Sequence, residues 1–445
     1  MRVDIGASHW QLTAPPLGGL SLHGHDLVGL TQRFGSPLHV VNGPSLRTAA
    51  ESAMAPAGRG DGADVFYSYK TNPVPGVLAM LHTAGIGAEV ISEYELWLAL
   101  RLGVPGERII YNGPAKSPAS LRMAVERGAL LINANSVADV QAIAAAAHHV
   151  GRPASLGLRV ALPSMWGGQF GLAGGSSELR EMIRLAQSDP GVQLAGLHVH
   201  RGFPIRTAGD MRQHVNAVLD HLDVLHAETG WWPSIIDLGG SLTTPTVASI
   251  PARQHRLNRA LATDLLPPDT ADCLSVADAA QLAVAVVRER AAVNARPAPR
   301  VVLEPGRALT GHTQFLLTTV LDVKADQPIV HAVLDAGVNL AEPARTEYHQ
   351  LLSASAPRAA AARSYRLVGP ICTPADVLYN NWRLPELAPG HVLAIMDSGA
   401  YFVPFATSFS FPRPAIVCCD PEGVVVLRRA ETFADLVALD EPPGD

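Results

Sequence analysis

Between about residues 65 and 306, short apolar runs alternate with longer segments of helical period. Eight runs are rich in β-branched and other apolar residues: 65–70, 87–92, 108–113, 130–135, 155–162, 196–202, 235–241 and 300–306. The segments between them place apolar residues three and four positions apart, and several end in glycine, as helices commonly do. Eight strand–helix units in succession predict an α/β fold of the TIM-like (β/α)8 barrel type.

The pattern changes on both sides of this barrel. Residues 36–41 (SPLHVV) predict a strand in a Gly-rich N-terminal segment, and strand-like runs dominate after residue 310, with a turn at 420–423. Residues 242–275 read as an insertion at the barrel mouth, and the Ala-rich run 353–364 as a loop. We expect three parts, which are an N-terminal segment (1–42) contributing a strand to a β domain, the barrel (43–310), and a mostly β C-terminal domain (311–445).

Composition narrows the class of protein. The apolar fraction of 48% and the charged fraction of 17% exclude a disordered or coiled-coil chain. A net charge of -6 gives no reason to expect a nucleic acid or an anionic membrane as partner. No apolar stretch approaches a membrane span, and the N-terminus lacks the apolar core of a signal peptide, so we expect a cytoplasmic protein. The 4 cysteines are too few and too irregular for a disulfide or zinc framework, so no metal site is predicted.

Lysine is rare in this chain. Of 34 basic residues only Lys70, Lys116 and Lys324 are lysines, and arginine cannot lose its proton to act as a free amine. Lys70 ends the first predicted strand, flanked by Tyr67 and Tyr69, where we expect a partly buried amine with a lowered pKa. Lys116 lies in a polar loop and Lys324 in a C-terminal strand, so we expect both to be structural.

Functional side chains of such a barrel project from the C-terminal ends of its strands. These ends are polar although the strand bodies are apolar: Lys70, Glu89 or Ser92, Asn112, Asn135, Arg159, His200, Gly239–Ser241 and Glu304–Arg307. A purely structural barrel has no need of such a rim, so the residues predict a polar, anionic ligand at its centre.

Seven motifs, in this order, resemble those of the fold-type III pyridoxal-phosphate decarboxylases: YSYKTNP (67–73), GAEVISEYEL (87–96), HVHRG (198–202), DLGGS (237–241), EPGR (304–307), GPICTPAD (369–376) and DSGAY (397–401). This family includes diaminopimelate and ornithine/arginine decarboxylases, and the resemblance extends from about residue 36 to 415. It implies pyridoxal 5'-phosphate as cofactor, amino-acid decarboxylation (a carboxy-lyase activity), and a homodimer with shared active sites.

The resemblance assigns roles to the matching positions. Lys70 matches the lysine that binds the cofactor aldehyde, and Glu304 matches the acid that keeps the pyridine nitrogen protonated and the ring a strong electron sink. His200 matches the imidazole that stacks on the ring, whereas His198 is expected to be buried packing. Residues matching further cofactor contacts are Glu89, beside the lysine, and Arg159.

Phosphate binding is expected from the backbone amides of Gly239, Gly240 and Gly306, since glycine lets the main chain approach an anion. Arg307 and the Tyr401 hydroxyl are expected to assist, although Arg307 fits the substrate carboxylate equally well. By the same resemblance, Cys372 is the cysteine that the neighbouring subunit inserts to reprotonate the substrate carbon.

Two departures concern the phosphate. Phe203 stands where the family has a phosphate-binding serine, and Ser241 replaces the third glycine of the glycine run. The Ser241 hydroxyl either substitutes for the missing serine or crowds the site, and both outcomes stay open.

A third departure concerns the substrate. Thr373 stands where diaminopimelate decarboxylases have Glu and ornithine decarboxylases have Asp, and 342–348 (EPARTEY) replaces an Arg-Pro-x-x-Tyr run. A substrate ammonium without a carboxylate partner in a desolvated pocket costs several kcal/mol, so plain diaminopimelate or ornithine is not expected. We expect a non-standard or conjugated amino acid, such as a siderophore or secondary-metabolite intermediate. The expected substrate-binding residues are Arg307, Arg345, Tyr348, Thr373 and Asp376.

Two alternatives stay open at this point. One is a pyridoxal-phosphate racemase or epimerase on the same barrel, although related alanine racemases place an Arg, not an acid like Glu304, at the ring nitrogen. The other is a non-catalytic protein that binds the cofactor.

Overall fold

The computed structural model describes residues 5–441 apart from 15–17, 164, 166–167, 272, 327 and 356–362. Most of the predicted Ala-rich loop therefore lies outside the described residues. The chain forms two compact units, of which the first comprises Arg47–Thr243 with Asp272–Leu309, and the second Met1–Leu46, Thr244–Ala271 and Thr310–Asp445. In the described part of the chain, no helix is long and apolar enough to cross a membrane.

The first unit is a closed parallel barrel, as the alternation predicts. Its strands among the described residues are β1 Asp64–Ser68, β2 Gly87–Val90, β3 Ile109–Tyr111, β4 Leu131–Ala134, β5 Ala154–Ala161, β6 Val192–His198, β7 Ile235–Asp237 and β8 Arg300–Leu303. Each strand pairs with the next in parallel, β8 pairs with β1, and the β4–β5 pairing completes the ring. The predicted (β/α)8 fold is confirmed.

Among the described residues of the first unit, the helices that connect these strands are α1 Pro75–Thr83, α2 Glu93–Arg101, α3 Pro118–Arg127, α4 Val137–Val150, α5 Ser177–Ser188, α6 Ala208–Thr229 and α7 Val276–Val293. A further helix, Gly43–Gly58, precedes β1. Serine or threonine side chains cap the N-termini of α2 to α7, where they accept otherwise unpaired backbone N–H groups. These short capped connections return the chain to the next strand with the same polarity.

Two layers of side chains fill the barrel, because residues two positions apart on a strand face the same side. The lower layer is apolar or glycine: Phe66, Gly87, Ile110, Leu131, Gly157, Gly196, Ile235 and Val302. Glycine is needed where a neighbour is large, since an ideal Cβ on Gly87 lies 2.4 Å from the Phe66 ring. Two positions further on, every strand carries a polar residue, and we call this set the polar layer: Ser68, Glu89, Asn112, Asn133, Arg159, His198, Asp237 and Glu304.

The second unit is mostly β, as predicted. Its strands are Leu38–Asn42, β9 Gln314–Lys324, β10 His331–Leu334, β11 Glu347–Tyr348, β12 Leu351–Ser353, β13 Arg363–Val368, β14 Val377–Leu384, β15 Val392–Ile395, β16 Ala415–Asp420 and β17 Gly423–Arg428. Leu38–Asn42 lies between β9, which is antiparallel to it, and β16, which is parallel. Short strands at Leu12–Thr13, Ser21–Leu22 and His25–Asp26 precede the helix Leu27–Phe34.

The segment after β7 differs from the prediction. Thr244–Ala271 belongs to the mostly β unit, so the expected barrel range 43–310 is interrupted. Within that unit the strand Ala248–Ser249 pairs with β11, and the Asn381 amide donates to Asp264 Oδ1 at 3.0 Å. The helix Ala252–Leu261 lies between these two contacts.

The lower layer makes a testable prediction. Gly87→Ala places a methyl group against the Phe66 ring and 2.9 Å from the Arg108 carbonyl oxygen. We expect the free energy of unfolding to fall by roughly 1–3 kcal/mol, as for other overpacked cores. Chemical denaturation measures the change. Gly58→Ala is the control, because its Cβ meets nothing within 4 Å. An equal fall in the free energy of unfolding of both variants would contradict the tight packing described for the lower layer.

Candidate active site

The polar layer is joined by the amide of Asn112. Its Nδ2 donates to Glu89 Oε1 at 2.9 Å and to Glu304 Oε1 at 2.7 Å, and its Oδ1 accepts from Asn133 Nδ2 at 2.7 Å. All four side chains are buried. One neutral amide therefore connects a carboxylate of β2 and one at the end of β8, the two strands that pair with β1.

The same network continues on both sides. Ser68 Oγ donates to Glu89 Oε2 at 2.5 Å, and Asn133 Nδ2 lies 3.3 Å from His198 Nδ1. His198 Nε2 lies 3.5 Å from Glu304 Oε2. Burial, together with the positive charge of Arg159, holds the pKa of His198 well below its ordinary value, so the ring is neutral.

The acids of the layer lack full compensation by positive charge. Burial raises the pKa of Asp237 to about 7, although Gly239 N donates to its Oδ1 at 2.9 Å. Burial and the neighbouring charges of Asp237 and Glu89 raise the pKa of Glu304 well above its usual range. The Arg159 guanidinium opposes these shifts. The layer thus favours a further cation, or protons, beside Glu304.

Lys70 lies above this layer, two residues beyond Ser68, in the short turn Tyr69–Thr71. Its side chain is exposed, so the expectation of a partly buried amine is wrong for this structure. The buried Tyr69 hydroxyl donates instead to His82 Nε2 at 2.6 Å, and His82 Nδ1 contacts the Ile86 carbonyl. The tyrosine thereby fixes the turn without enclosing the amine.

His200 occupies the rim beyond β6. Its Nδ1 accepts from Gly240 N at 3.2 Å, and its Nε2 lies 3.4 Å from Ser241 Oγ. Burial and the charge of Lys70 lower the pKa of His200 to about 3, so it is a neutral imidazole. Ser241 has φ +72° and its Oγ also accepts from Gly202 N at 3.1 Å.

Two amides of the glycine run have partners within the chain. Gly239 N donates to Asp237 and Gly240 N donates to His200, so both predicted phosphate donors are used within the chain. Gly306 permits a close approach instead, because an ideal Cβ there lies 2.1 Å from Thr71 Oγ1, beside the Lys70 turn. Phosphate binding by the amides of Gly239, Gly240 and Gly306 stays a prediction.

Comparison with known proteins decides the family. The family described as pyridoxal-dependent decarboxylase, pyridoxal binding domain, matches residues 48–311. The chain belongs to this family. It is a pyridoxal-phosphate-dependent amino-acid decarboxylase, a carboxy-lyase.

Relatives match over nearly their whole length. Diaminopimelate decarboxylase of Methanocaldococcus jannaschii is 26% identical over 447 residues, and that of Methanothermobacter thermautotrophicus is 28% identical over 444, with 96% of each chain covered. A crystal structure of the M. jannaschii enzyme is similar with a TM-score of 0.84 and 25% identity, covering 98% of this chain and 99% of that one.

The barrel residues fit pyridoxal phosphate. Burial, with the nearby charges of Asp237 and Glu89, raises the pKa of Glu304, and a protonated pyridine nitrogen would supply the opposite charge. His200 is a neutral imidazole at the rim, which suits a ring that stacks on the cofactor. Lys70 offers an exposed amine at the same rim, and Gly306 allows the close approach of Thr71 beside its turn.

Several residues predicted to bind substrate or cofactor, or to act in catalysis, lie in the mostly β unit of the decarboxylase. Cys372 is exposed, and Thr373 Oγ1 accepts from Ala375 N at 3.3 Å. Arg345 is exposed, with Nη1 3.8 Å from Glu342 Oε1. Tyr401 has φ +70° and stacks on Phe405 at 6.1 Å between ring centroids.

Two residues that were predicted to contact the substrate form hydrogen bonds inside this unit instead. Tyr348 is buried, and its hydroxyl donates to Gln350 Oε1 at 2.6 Å. Asp376 accepts from Val338 N at 2.7 Å through Oδ1 and from Ile371 N at 2.8 Å through Oδ2. Both side chains therefore stabilise the fold, which corrects their assignment to the substrate.

His198, His200 and Glu304 also offer three ligand atoms within 4.8 Å of one another, a spacing that a metal ion accepts. His200 already contacts Gly240 and Ser241 through its two nitrogens, and a metal there would displace one of them. The expectation of no metal stays a prediction.

Sequence reasoning missed part of the polar layer. Ser68, Asn133 and Asp237 were not among the predicted site residues. His198 was expected only to pack in the core, although its ring lies between Asn133 and Glu304. The usable signal is the spacing, because each missed residue follows a lower-layer position by two residues.

The raised pKa of Asp237 predicts a pH effect on stability. The folded protein retains a proton up to about pH 7, whereas the unfolded chain releases it near the ordinary value of 3.8. This group therefore reduces the stability of the fold progressively as the pH rises through that window. Asp237→Asn removes the effect, so the free energy of unfolding of the variant relative to the original protein should rise between pH 4 and 7.

Denaturation of cofactor-free protein across this pH range measures that difference. Asp210→Asn is the control: despite some opposing burial, bonds from Thr207 lower the pKa of Asp210, which moves its titration below the window. If the difference in free energy of unfolding between Asp237→Asn and the original protein does not change with pH, the raised pKa of Asp237 is contradicted.

Proposed function

We propose that this decarboxylase acts on an amino acid whose far end lacks the free ammonium of diaminopimelate or ornithine. A conjugated or carboxylate-bearing amino acid, such as a siderophore or secondary-metabolite intermediate, fits this description. The support comes from the Cys372 segment, 369–376, where Thr373 stands at the position that the family resemblance gives to an acid.

One observation carries the proposal. Asp376 is the only acid in that segment, and both of its carboxylate oxygens accept backbone hydrogen bonds, from Val338 and Ile371. Turning Asp376 toward a substrate would leave these buried amides unpaired, at about 1–3 kcal/mol each. A substrate ammonium thus gains no carboxylate from this segment, whereas the exposed Arg345 can receive a substrate carboxylate.

In this proposal, barrel residues bind the cofactor, and side chains of the protein supply the proton that the reaction needs. Bound pyridoxal phosphate supplies an electron sink for the electrons left when CO2 departs. Lys70 would hold this cofactor through its Nζ, Glu304 would pair with its ring nitrogen, and His200 would pack against its ring. Glu89 and Arg159 balance the charges around these groups. Ser241, Gly306, Arg307 and Tyr401 are the proposed phosphate ligands.

The proton for the substrate carbon is proposed to come from Cys372. Its exposure suits a thiol that acts on a neighbouring subunit, and we propose a homodimer with shared active sites. Exposed aromatic side chains on the same unit support such an interface, since large apolar residues at a surface commonly mark one. These residues are Phe405, Phe409 and Phe411.

Diaminopimelate itself is the second candidate substrate. The relatives named above carry that activity in their names, and the M. jannaschii enzyme has been crystallised with L-lysine. Against it stands the missing acid at position 373.

A substrate panel separates the two candidates. We expect CO2 release from diaminopimelate and ornithine to be slow, and Thr373→Glu to raise kcat/KM for diaminopimelate by roughly tenfold or more through a new ion pair. Thr373→Gln has nearly the same shape without the charge and should give no such gain. Measured CO2 release from diaminopimelate at a kcat of roughly 10 per second, an ordinary enzymatic value, would contradict the proposal.

A further inference from the structure

We propose that Asn112 is a positioning residue for decarboxylation. Its amide ties the Glu304 carboxylate to Glu89, and so holds Glu304 in the orientation that receives the ring nitrogen of the cofactor. This inference rests on the role proposed above for Glu304.

The orientation of the Asn112 amide follows from its partners. Its oxygen accepts from Asn133 Nδ2 at 2.7 Å, so its nitrogen must face Glu89 and Glu304. Reversal would point the oxygen at two carboxylates, which donate nothing when ionised. The Asn133 amide is fixed in turn, because its nitrogen also faces His198 Nδ1 at 3.3 Å.

An amide suits this place better than other side chains. The nitrogen carries two hydrogens, one for each carboxylate, and it keeps both because it does not titrate. Donation to Glu304 favours its ionised form, which burial and the nearby acids oppose. An aspartate of the same shape would add a third negative charge, and a leucine would leave two buried carboxylate oxygens without this donor.

Lys116 stabilises the backbone that carries the amides of Asn112 and Asn133. Its Nζ donates to the carbonyl oxygens of Gly113 at 2.5 Å and Asn133 at 2.8 Å, and its side chain is 1% exposed. Gly113 follows Asn112 directly, so one ammonium fixes the backbone beside both amides. Asp139 lies 3.9 Å from this nitrogen and provides the opposite charge. Lys116 therefore acts through Asn112 and Asn133, without reaching Glu304 itself.

The test compares Asn112→Leu with Asn294→Leu in the holoenzyme. Asn294 is the matched control, because its amide also donates to a carboxylate, Asp223 Oδ1 at 3.0 Å, but it follows helix α7 outside the polar layer. We expect Asn112→Leu to lower kcat roughly 10- to 100-fold, as misplacement of a reacting group does. KM should change less than about threefold, since substrate binding is not altered. The nitrogen-15 NMR shift of the ring nitrogen in bound, labelled cofactor should move, because that shift reports the protonation of the ring nitrogen.

Asn294→Leu should leave kcat and the ring-nitrogen shift unchanged. If Asn112→Leu does not fold, Asn112→Ser removes the same two hydrogen bonds with a smaller side chain and takes its place. Unchanged kcat and an unchanged ring-nitrogen shift in the folded variant would overturn the inference, and so would an equal effect of Asn294→Leu.

Glu304→Gln, measured in parallel, separates this inference from the proposed function. If Glu304→Gln leaves the ring-nitrogen shift in place, the role proposed for Glu304 fails. If it moves this shift and the Asn112 variant does not, only the inference about Asn112 fails.

A double variant tests the path through Lys116. Because Lys116 is expected to act through Asn112, Lys116→Met should lower kcat in the original enzyme but have little further effect when combined with Asn112→Leu. Full additivity of the two losses would contradict that path.

Discussion

The burial of three acids, Glu89, Asp237 and Glu304, inside one barrel is the constraint on which the rest of the structure depends. Buried carboxylates are costly unless hydrogen bonds and opposite charges compensate them. Donors from several strands therefore converge on them, with Asn112 at the centre. The raised pKa of Glu304 reflects this burial and the neighbouring acids, and a protonated pyridine nitrogen would supply a compensating positive charge there.

The barrel and the family could be predicted from the sequence, because strand–helix alternation and the order of seven motifs are local signals. The polar layer was harder to predict. The sequence draws attention to the last polar residue of each run, such as Asn135 and His200, whereas the buried network uses Asn133 and His198, two positions earlier. Only the pairing of all eight strands shows that these earlier positions share one interior face.

Other features depend on contacts between distant parts of the chain. The amide of Gly240 was expected to be available for a phosphate, but His200 accepts it, and no sequence rule specifies that partner. Asp376 was expected at the substrate, but two backbone amides hold it. Helix α1 is apolar on most faces, so it gives little helical period. Thr244–Ala271 follows a barrel strand in sequence and pairs in the other unit.

The central claim is that the cofactor is bound by the amine at the rim above the polar layer, and the rarity of lysine permits a direct test. Borohydride reduction of the holoenzyme fixes the cofactor permanently to the amine that holds it, and peptide mass spectrometry then locates the added mass. The chain offers three lysine side chains for this modification. The account predicts the added mass on Lys70, and finding it on Lys116 or Lys324, or on no lysine, would contradict it.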